Sequence, residues 1–589
     1  MKKCISILLA CCAIAGETAA MEGSLSQRIT LKTPGNRAVT YNLRETAEGG
    51  GGILEADRRL PLTVRRQKTE TDDEIRIVLT LTADDLLYYN VEQSFHTGLA
   101  HENCLFYMPG FWYRKNLRSP ESAPSFHTGD SWQVREDRLS TPLTGIYDER
   151  SGTYYTVLRT DTPDCEALTC HNYGEVILSG KTSLGFTGFR NADAHAALVF
   201  GFPYCEAPKS YVRKLTLAPA VRAFEKLEKG ETRRLTWTIR KGASPSYSSF
   251  VAEVWNDSFD TLDPRPVSPR HTPDEAKAIL SEYFSRSYVG KYPLKFTSGV
   301  ELRTADCEST DIAEVGFVGR VLLNAFNALE YAEANGREQL AAEARSIFDS
   351  YLRYGFTPGG LIREVVDFKR EREADVYSIR RQSEGLYALL NYLDYEKRHG
   401  RSHPRWEARI RTLLEKFRTL QNPDGSFPRK FRDNLTVVDA SGGSTPSATL
   451  LLTMACVYFG DEEYRRSAVR TADYLEKNLI SKADYFSSTL DANCEDKEAS
   501  LYAATAMYYL TFISEGAERQ RYVDLCREAA YFALSWYYLW DVPFAQGQML
   551  GDVGFRSRGW GNVSVENNHV DVFIFEFATV LDFLADTCG

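Results

Sequence analysis

Thr445-Pro-Ser-Ala-Thr-Leu-Leu-Leu-Thr-Met-Ala-Cys-Val-Tyr-Phe459 is apolar on nearly every face of a helix, and the next segment, Asp461–Leu479, is not. The second segment carries apolar residues at three- and four-residue steps among Arg, Glu, Asp and Lys, which is the mark of a half-exposed helix. A helix with no polar face has to be enclosed by protein. Side by side, the two predict a buried helix wrapped by an amphipathic one.

The same alternation runs outward in both directions. Ile312–Tyr331, Ser383–Leu393, Ala499–Ile513 and Val570–Leu584 are of the buried kind. Asp274–Ser287, Arg337–Arg353, Pro404–Leu420 and Glu518–Leu539 are of the amphipathic kind. Five outer–inner pairs in strict alternation predict a closed or nearly closed α/α toroid over 272–589. A helix near Val251 is a candidate for part of a sixth pair. A plain helical solenoid is the competing architecture, but its helices more often keep an exposed face.

Upstream the texture is different. Ile75–Thr82, Gly152–Leu158 and Arg233–Arg240 alternate or cluster β-branched and aromatic residues between Gly, Asp, Asn and Pro, so 21–245 reads as a β-sandwich of many short strands. Residues 246–271, with Pro264, Pro266 and Pro269, read as a linker holding a short helix. Residues 1–20 have the form of an export signal: Lys2 and Lys3, a short apolar run, then Thr18-Ala-Ala20. Cys11 offers lipid anchoring as an alternative. The protein is thus expected to be periplasmic or extracellular, and no later apolar run is long enough to span a bilayer.

At 589 residues with 43% hydrophobic and 25% charged side chains, the chain is that of a folded multidomain protein. Its net charge of −10 excludes nucleic acid as the main partner. No zinc, phosphate-loop or dinucleotide spacing occurs, so neither metal nor cofactor is expected. The cysteines are irregularly spaced, and most read as small buried residues, with Cys165 and Cys170 close enough to bridge.

Loop lengths give the helical half a functional face. Inner-to-outer connections are short, whereas outer-to-inner ones are long, and connections of one sense lie on one face. Five long loops therefore feed the N-termini of the inner helices, where free N–H groups favour anions. The junctions read Asp306–Asp311, Ser378–Glu384, Val438–Ser444, Asp491–Glu498 and Trp560–His569. Helix capping accounts for one or two polar residues at each. It does not account for Arg380-Arg381, or for Glu566 and His569 beside Trp560, and a shared site does.

These features resemble the six-hairpin glycosidase superfamily, the (α/α)6 toroids of many glycoside hydrolases and some polysaccharide lyases. Gln421-Asn-Pro-Asp-Gly-Ser-Phe427 is similar to its turn after an outer helix, and the junctions at Asp491 and Gly559 are similar to those of secreted bacterial members. The resemblance spans 270–589 and implies a secreted enzyme that binds carbohydrate and cleaves glycosidic bonds with two carboxyl groups. The candidates are Asp311, Glu384, Asp439, Glu495, Asp496 and Glu566. Glu384 is the preferred acid, with Glu495 or Glu566 as its partner. Arg380, Arg381 and Arg429 are suited to a sugar carboxylate, hence to an acidic glycan, unless they pair with the rim acids instead. Trp560 and Tyr377 offer aromatic faces. A uronate-cleaving lyase using His569, Asn568, Arg381 and Tyr377 is the first alternative, and a non-catalytic glycan-binding protein the second.

Overall fold

The computed structural model describes residues 21, 23–33, 35–45, 52–169, 173–300, 308–317, 319–486 and 493–588. The expected export signal, Cys11 and the Cys170 partner of Cys165 lie outside these residues.

Seventeen strands between Ser24 and Ala243 hydrogen-bond into one sheet system. Along Glu74–Ala83 the side chains of Ile75, Ile77, Leu79 and Leu81 are buried, following the two-residue period of a strand. That strand pairs antiparallel with Thr232–Ala243, matching Leu79 to Leu235 and Ile77 to Trp237. Leu87–Ala100 pairs with Ser24–Lys32 on one side and His195–Phe202 on the other. Residues from both groups of strands enter a single core. The three stretches singled out from sequence fall within strands, apart from Gly152, which precedes the strand Thr153–Arg159.

The helical half begins with α1 (Tyr247–Leu262) and α2 (Pro273–Ser287). A capping box starts α2: the Thr272 hydroxyl accepts from Glu275 N–H, and the Glu275 carboxylate accepts from Thr272 N–H. There follow α3 (Val321–Ala334), α4 (Glu338–Tyr354), α5 (Ile379–Arg398), α6 (Pro404–Thr419), α7 (Thr445–Phe459) and α8 (Glu462–Leu475). Then come α9 (Lys497–Leu510), α10 (Gly516–Leu534), the one-turn α11 (Met549–Asp552) and α12 (Phe577–Cys588). The inner row packs in chain order, α3 on α5, α5 on α7, α7 on α9 and α9 on α12. Helix α1 lies against α10.

Burial all round holds for the N-terminal turns of α5 and α7 and for most of α9, whereas Val457 near the end of α7 is exposed, and it does not hold at the two ends of the row. On α7, Leu450, Leu451 and Leu452 are all buried, each contributing about 1.5–3 kcal/mol of transfer free energy. By contrast α3 exposes Asn324, Asn327, Glu330 and Ala334. It also starts later than its apolar stretch, because Ile312–Glu314 is a strand paired with Val365–Asp367. Helix α12 starts at Phe577 rather than Val570 and buries only Phe577, Val580 and Leu584. Five inner helices are present among the described residues, so the inner row is open beside α3 rather than closed.

The two halves share a second core. It joins Leu105, Tyr107, Tyr113 and Leu143 of the strand half to the helices. Tyr113 OH meets Ser535 Oγ at 2.8 Å, Trp540 Nε1 donates to Leu139 O at 3.0 Å, and Arg118 grips Asp484 with two bonds of 2.7 and 2.5 Å.

Candidate functional site

Ser378 caps α5, its hydroxyl accepting from Arg381 N–H at 3.1 Å. The cap fixes where the first two turns point, and Arg380 and Glu384, four residues apart, fall on one face. The same spacing recurs on α9 with Glu498 and Tyr502. Helix α7 separates α5 from α9 in the row, so contacts between these faces cross the interior. Arg380 bonds Glu384 (Nε–Oε1, 3.1 Å) and pairs with Glu498, while Tyr502 OH donates to Glu384. Arg320, at the start of α3, approaches Glu384 at 3.5 Å, and Phe317 N–H donates to its other oxygen. A Cβ at Gly316 would run into that oxygen, so the loop before α3 reaches the carboxylate because it has glycine there. The Phe317 and Phe573 rings lie over the Arg380 guanidinium.

Arg380 is 0% and Glu384 6% exposed. Burial alone would raise the Glu384 pKa, but Arg380, Arg320, the Tyr502 hydroxyl and Phe317 N–H overcome it and hold the group at about 2. Glu384 is therefore an anion at any physiological pH. The role of proton donor, assigned to it from its place among rim acids, does not fit this geometry.

A neighbouring carboxyl is in the opposite state. Glu364, from the loop between α4 and α5, is 1% exposed. Its Oε1 accepts from Ser378 N–H (2.8 Å) and Gln382 Nε2 (3.0 Å), whereas its Oε2 has no hydrogen-bond partner. Burial is the dominant influence, and the negative Glu384 nearby adds to it, so the pKa rises to about 8 despite the two donors and Arg381. Glu314 completes the group. It pairs with Arg381, yet burial still raises its pKa, again with Glu384 contributing. Unpartnered buried atoms collect here: Glu364 Oε2, Arg381 Nε, Ser383 Oγ and Arg320 Nε. Such atoms are rare in folded proteins and gather where a ligand or a reaction uses them.

The remaining candidates occupy separate surroundings. Glu495 is buried beside Asp484, Arg118 and Arg114; burial and Asp484 raise its pKa to about 8, and its Oε2 has no partner. Asp496 caps α9, accepting from Ala499 N–H at 2.6 Å. Asp439 is tied to Arg429 (3.1 Å) and Ser441 N–H (2.9 Å), which keep its pKa low against burial. Asp311 pairs with Lys291 at 3.0 Å, which lowers its pKa. Glu566 is buried at the seam with the strand half, where its carbonyl accepts from Tyr211 OH at 3.2 Å. Asn568 holds the carbonyls of Arg138 (2.9 Å) and Gly110 (3.1 Å), so its amide serves the seam. His569 is exposed, and Trp560 lies edge-on to Phe555. Tyr377 is buried and pairs in a short strand with Phe431; burial moves its pKa to about 12.

Sequence reasoning put Arg380 and Glu384 at the start of α5 and did not single out Glu314, Glu364 and Tyr502, which the structure places in the same buried network. Two signals were present: the repeated four-residue spacing of Arg380/Glu384 and Glu498/Tyr502, and a lone Glu364 set between Leu361-Ile362 and Val365-Val366. Among the described residues no group of His, Cys, Asp and Glu is arranged to hold a metal, and no helix is long and apolar enough to cross a membrane.

No protein-family model matches the chain. No curated protein matches it in sequence. Among solved structures, it is similar to the cellobiose 2-epimerase from Spirochaeta thermophila DSM 6192, at 15% identity and a TM-score of 0.39, covering 58% of this chain and 86% of that one. It is similar to a polysaccharide lyase at 8% identity and a TM-score of 0.38, covering 95% and 91%. It is also similar to the unsaturated glucuronyl hydrolase from Bacillus sp. GL1, at 13% identity and a TM-score of 0.36, covering 58% and 84%.

Proposed function

We propose that this chain is an exported glycoside hydrolase in which 272–589 form the catalytic domain, a toroid of the six-hairpin type left open beside α3, and 21–245 a supporting β-sandwich. The observation that carries the reading is the contrast between two buried carboxyls at the start of α5: Glu384 is held by Arg380, Arg320, Tyr502 and Phe317 N–H, which favour its anion, whereas Glu364 Oε2 has no partner and burial favours its protonated form. Two carboxyl groups driven apart in this way are what glycosidic cleavage needs, one to protonate the leaving oxygen and one to act at the sugar carbon or on water. In this role Glu364 donates its Oε2 proton as the glycosidic C–O bond breaks. Glu384 stabilises the positive charge that develops on the sugar, and water supplies the new hydroxyl while its remaining proton returns to Glu364. Both carboxyls are buried, Glu364 at 1% and Glu384 at 6% exposure, so substrate has to displace part of what covers them.

The test is incubation of the full-length protein, Glu364→Gln and Glu384→Gln with a panel of plant, host and microbial polysaccharides. New reducing ends without ultraviolet absorbance, lost at least 100-fold in both variants, are expected, since a positioned acid contributes about 10²–10⁴-fold. An absorbing, unsaturated product would instead mark a lyase. Glycan binding with no bond ever cleaved would mark a binding protein.

A further inference from the structure

Beside α3, where the inner row is open, a groove of about 1110 Å³ separates α2 from α3, slightly larger than the usual ligand pocket of about 300–1,000 Å³. Asn324, Asn327 and Glu330 line it from α3. Three-residue steps place them on one stripe of the helix, and all three are exposed. The Asn327 side chain makes no hydrogen bond among the described residues, and the Asn324 side chain uses only its amide N–H, donated to Gly319 O at 3.0 Å. From α2, Tyr283 faces the groove 47% exposed. At the inner end lies Glu314, the partner of Arg381 and neighbour of Glu384.

We propose that this groove binds a neutral or amino-sugar glycan chain and leads its end past Glu314 to the carboxyl pair. The inference rests on the reading of Glu364 and Glu384 as that pair. Two observations select the substrate class. Each arginine suited to a sugar carboxylate is answered by a protein carboxylate: Arg380 by Glu384 and Glu498, Arg381 by Glu314, Arg429 by Asp439. Among the described residues the groove adds Asp274, Glu314 and Glu330 against Lys277. A uronate entering it meets like charge. A neutral sugar meets amides that both donate and accept and a tyrosine ring able to stack on its apolar face.

The experiment titrates full-length Glu364→Gln by calorimetry with hexasaccharides of cellulose, xylan, mannan and chitosan, and with hexagalacturonate. The expected result is binding of at least one of the first four and weaker or no binding of hexagalacturonate. Tyr283→Ala and Asn327→Ala, both at exposed positions, are expected to weaken that binding about tenfold, or about 1.4 kcal/mol, with unchanged circular dichroism. Glu330→Lys is expected to improve hexagalacturonate binding. Tighter binding of hexagalacturonate than of every neutral or amino-sugar probe overturns the proposal, as does binding of no probe, or binding indifferent to Tyr283→Ala and Asn327→Ala. If the wild type cleaves a glycan whose binding ignores both substitutions, the groove falls and the carboxyl pair stands. If both substitutions abolish binding and no glycan is cleaved, the groove stands and the pair falls.

Discussion

Glu364→Gln is expected to make the protein more stable as it makes it inactive, and the gain should appear only above the ordinary carboxylate range. In the folded chain Glu364 titrates near 8 instead of 4.5 because it is buried next to Glu384. Below pH 4.5 the carboxyl is protonated whether folded or unfolded, so it carries no pH-dependent term. Between pH 4.5 and 8 the unfolded chain releases the proton and the folded chain does not, so stability is lost as pH rises through this window. At about 1.4 kcal/mol per tenfold change in proton affinity, the full interval corresponds to roughly 5 kcal/mol, of which about 3 kcal/mol is already lost at pH 7. Gln keeps the carbonyl that accepts from Ser378 N–H and Gln382 Nε2. It replaces an O–H that has no acceptor by an NH₂ in the same position. The assay is urea unfolding of wild type and Glu364→Gln at pH 4 and pH 8, compared by midpoint at unchanged slope. The variant should match the wild type at pH 4 and exceed it by several kcal/mol at pH 8. Parallel midpoints across this range, or a less stable variant at pH 8, would refute a protonated Glu364 and with it the proposed acid.

Arg380→Met should cost about 3–5 kcal/mol, because it leaves Glu384 and Glu498 buried without their shared cation; urea unfolding at pH 7 measures it, and a loss below 1 kcal/mol would mean that the network relaxes into water. In the same variant the Glu384 pKa should rise from about 2, so the stability that the wild type loses as pH falls from about 4.5 towards 2 should be reduced or absent, and the deficit of the variant should narrow on acidification. Asp496→Ala removes the α9 cap and should cost about 1 kcal/mol, whereas Asp496→Asn, which still accepts from Ala499 N–H, should recover most of it. Activity on any cleaved glycan should fall above pH 8 as Glu364 loses its proton, and initial rates across pH 5–10 read this limb directly.

The alternation of enclosed and amphipathic helices was legible from the chain because period and polarity are local properties. Thr445–Phe459 is apolar all round and is α7 to the residue, since a helix with no wet face has one kind of place to go. The strands at Glu74–Ala83, Thr153–Arg159 and Thr232–Ala243 were legible for the same reason. The ends of the inner row were not. Asn324, Asn327 and Glu330 break the apolar pattern of α3 at three-residue steps, but whether such a stripe faces water or a partner depends on what stands beside it.

The chemistry divides along the same line. Sequence placed Arg380 and Glu384 at a helix start, and with them the region of the proposed site. It did not assign their states, because a carboxyl's pKa depends on neighbours distant in the chain. Glu384 is held as an anion by Arg380 on its own helix, joined by Arg320, sixty-four positions upstream, and Tyr502, 118 positions downstream. Glu364 became a buried acid because the loop before α5 folds back onto Ser378 and Gln382. Likewise Asn568 and Glu566 looked like rim chemistry until packing placed them against Gly110, Arg138 and Tyr211. The sequence by itself determined which segments are helix or strand and which faces must be hidden, through periodicity and hydrophobicity. Only the tertiary structure decided which carboxyl holds a proton, because burial and charge at a point are sums over everything packed around it.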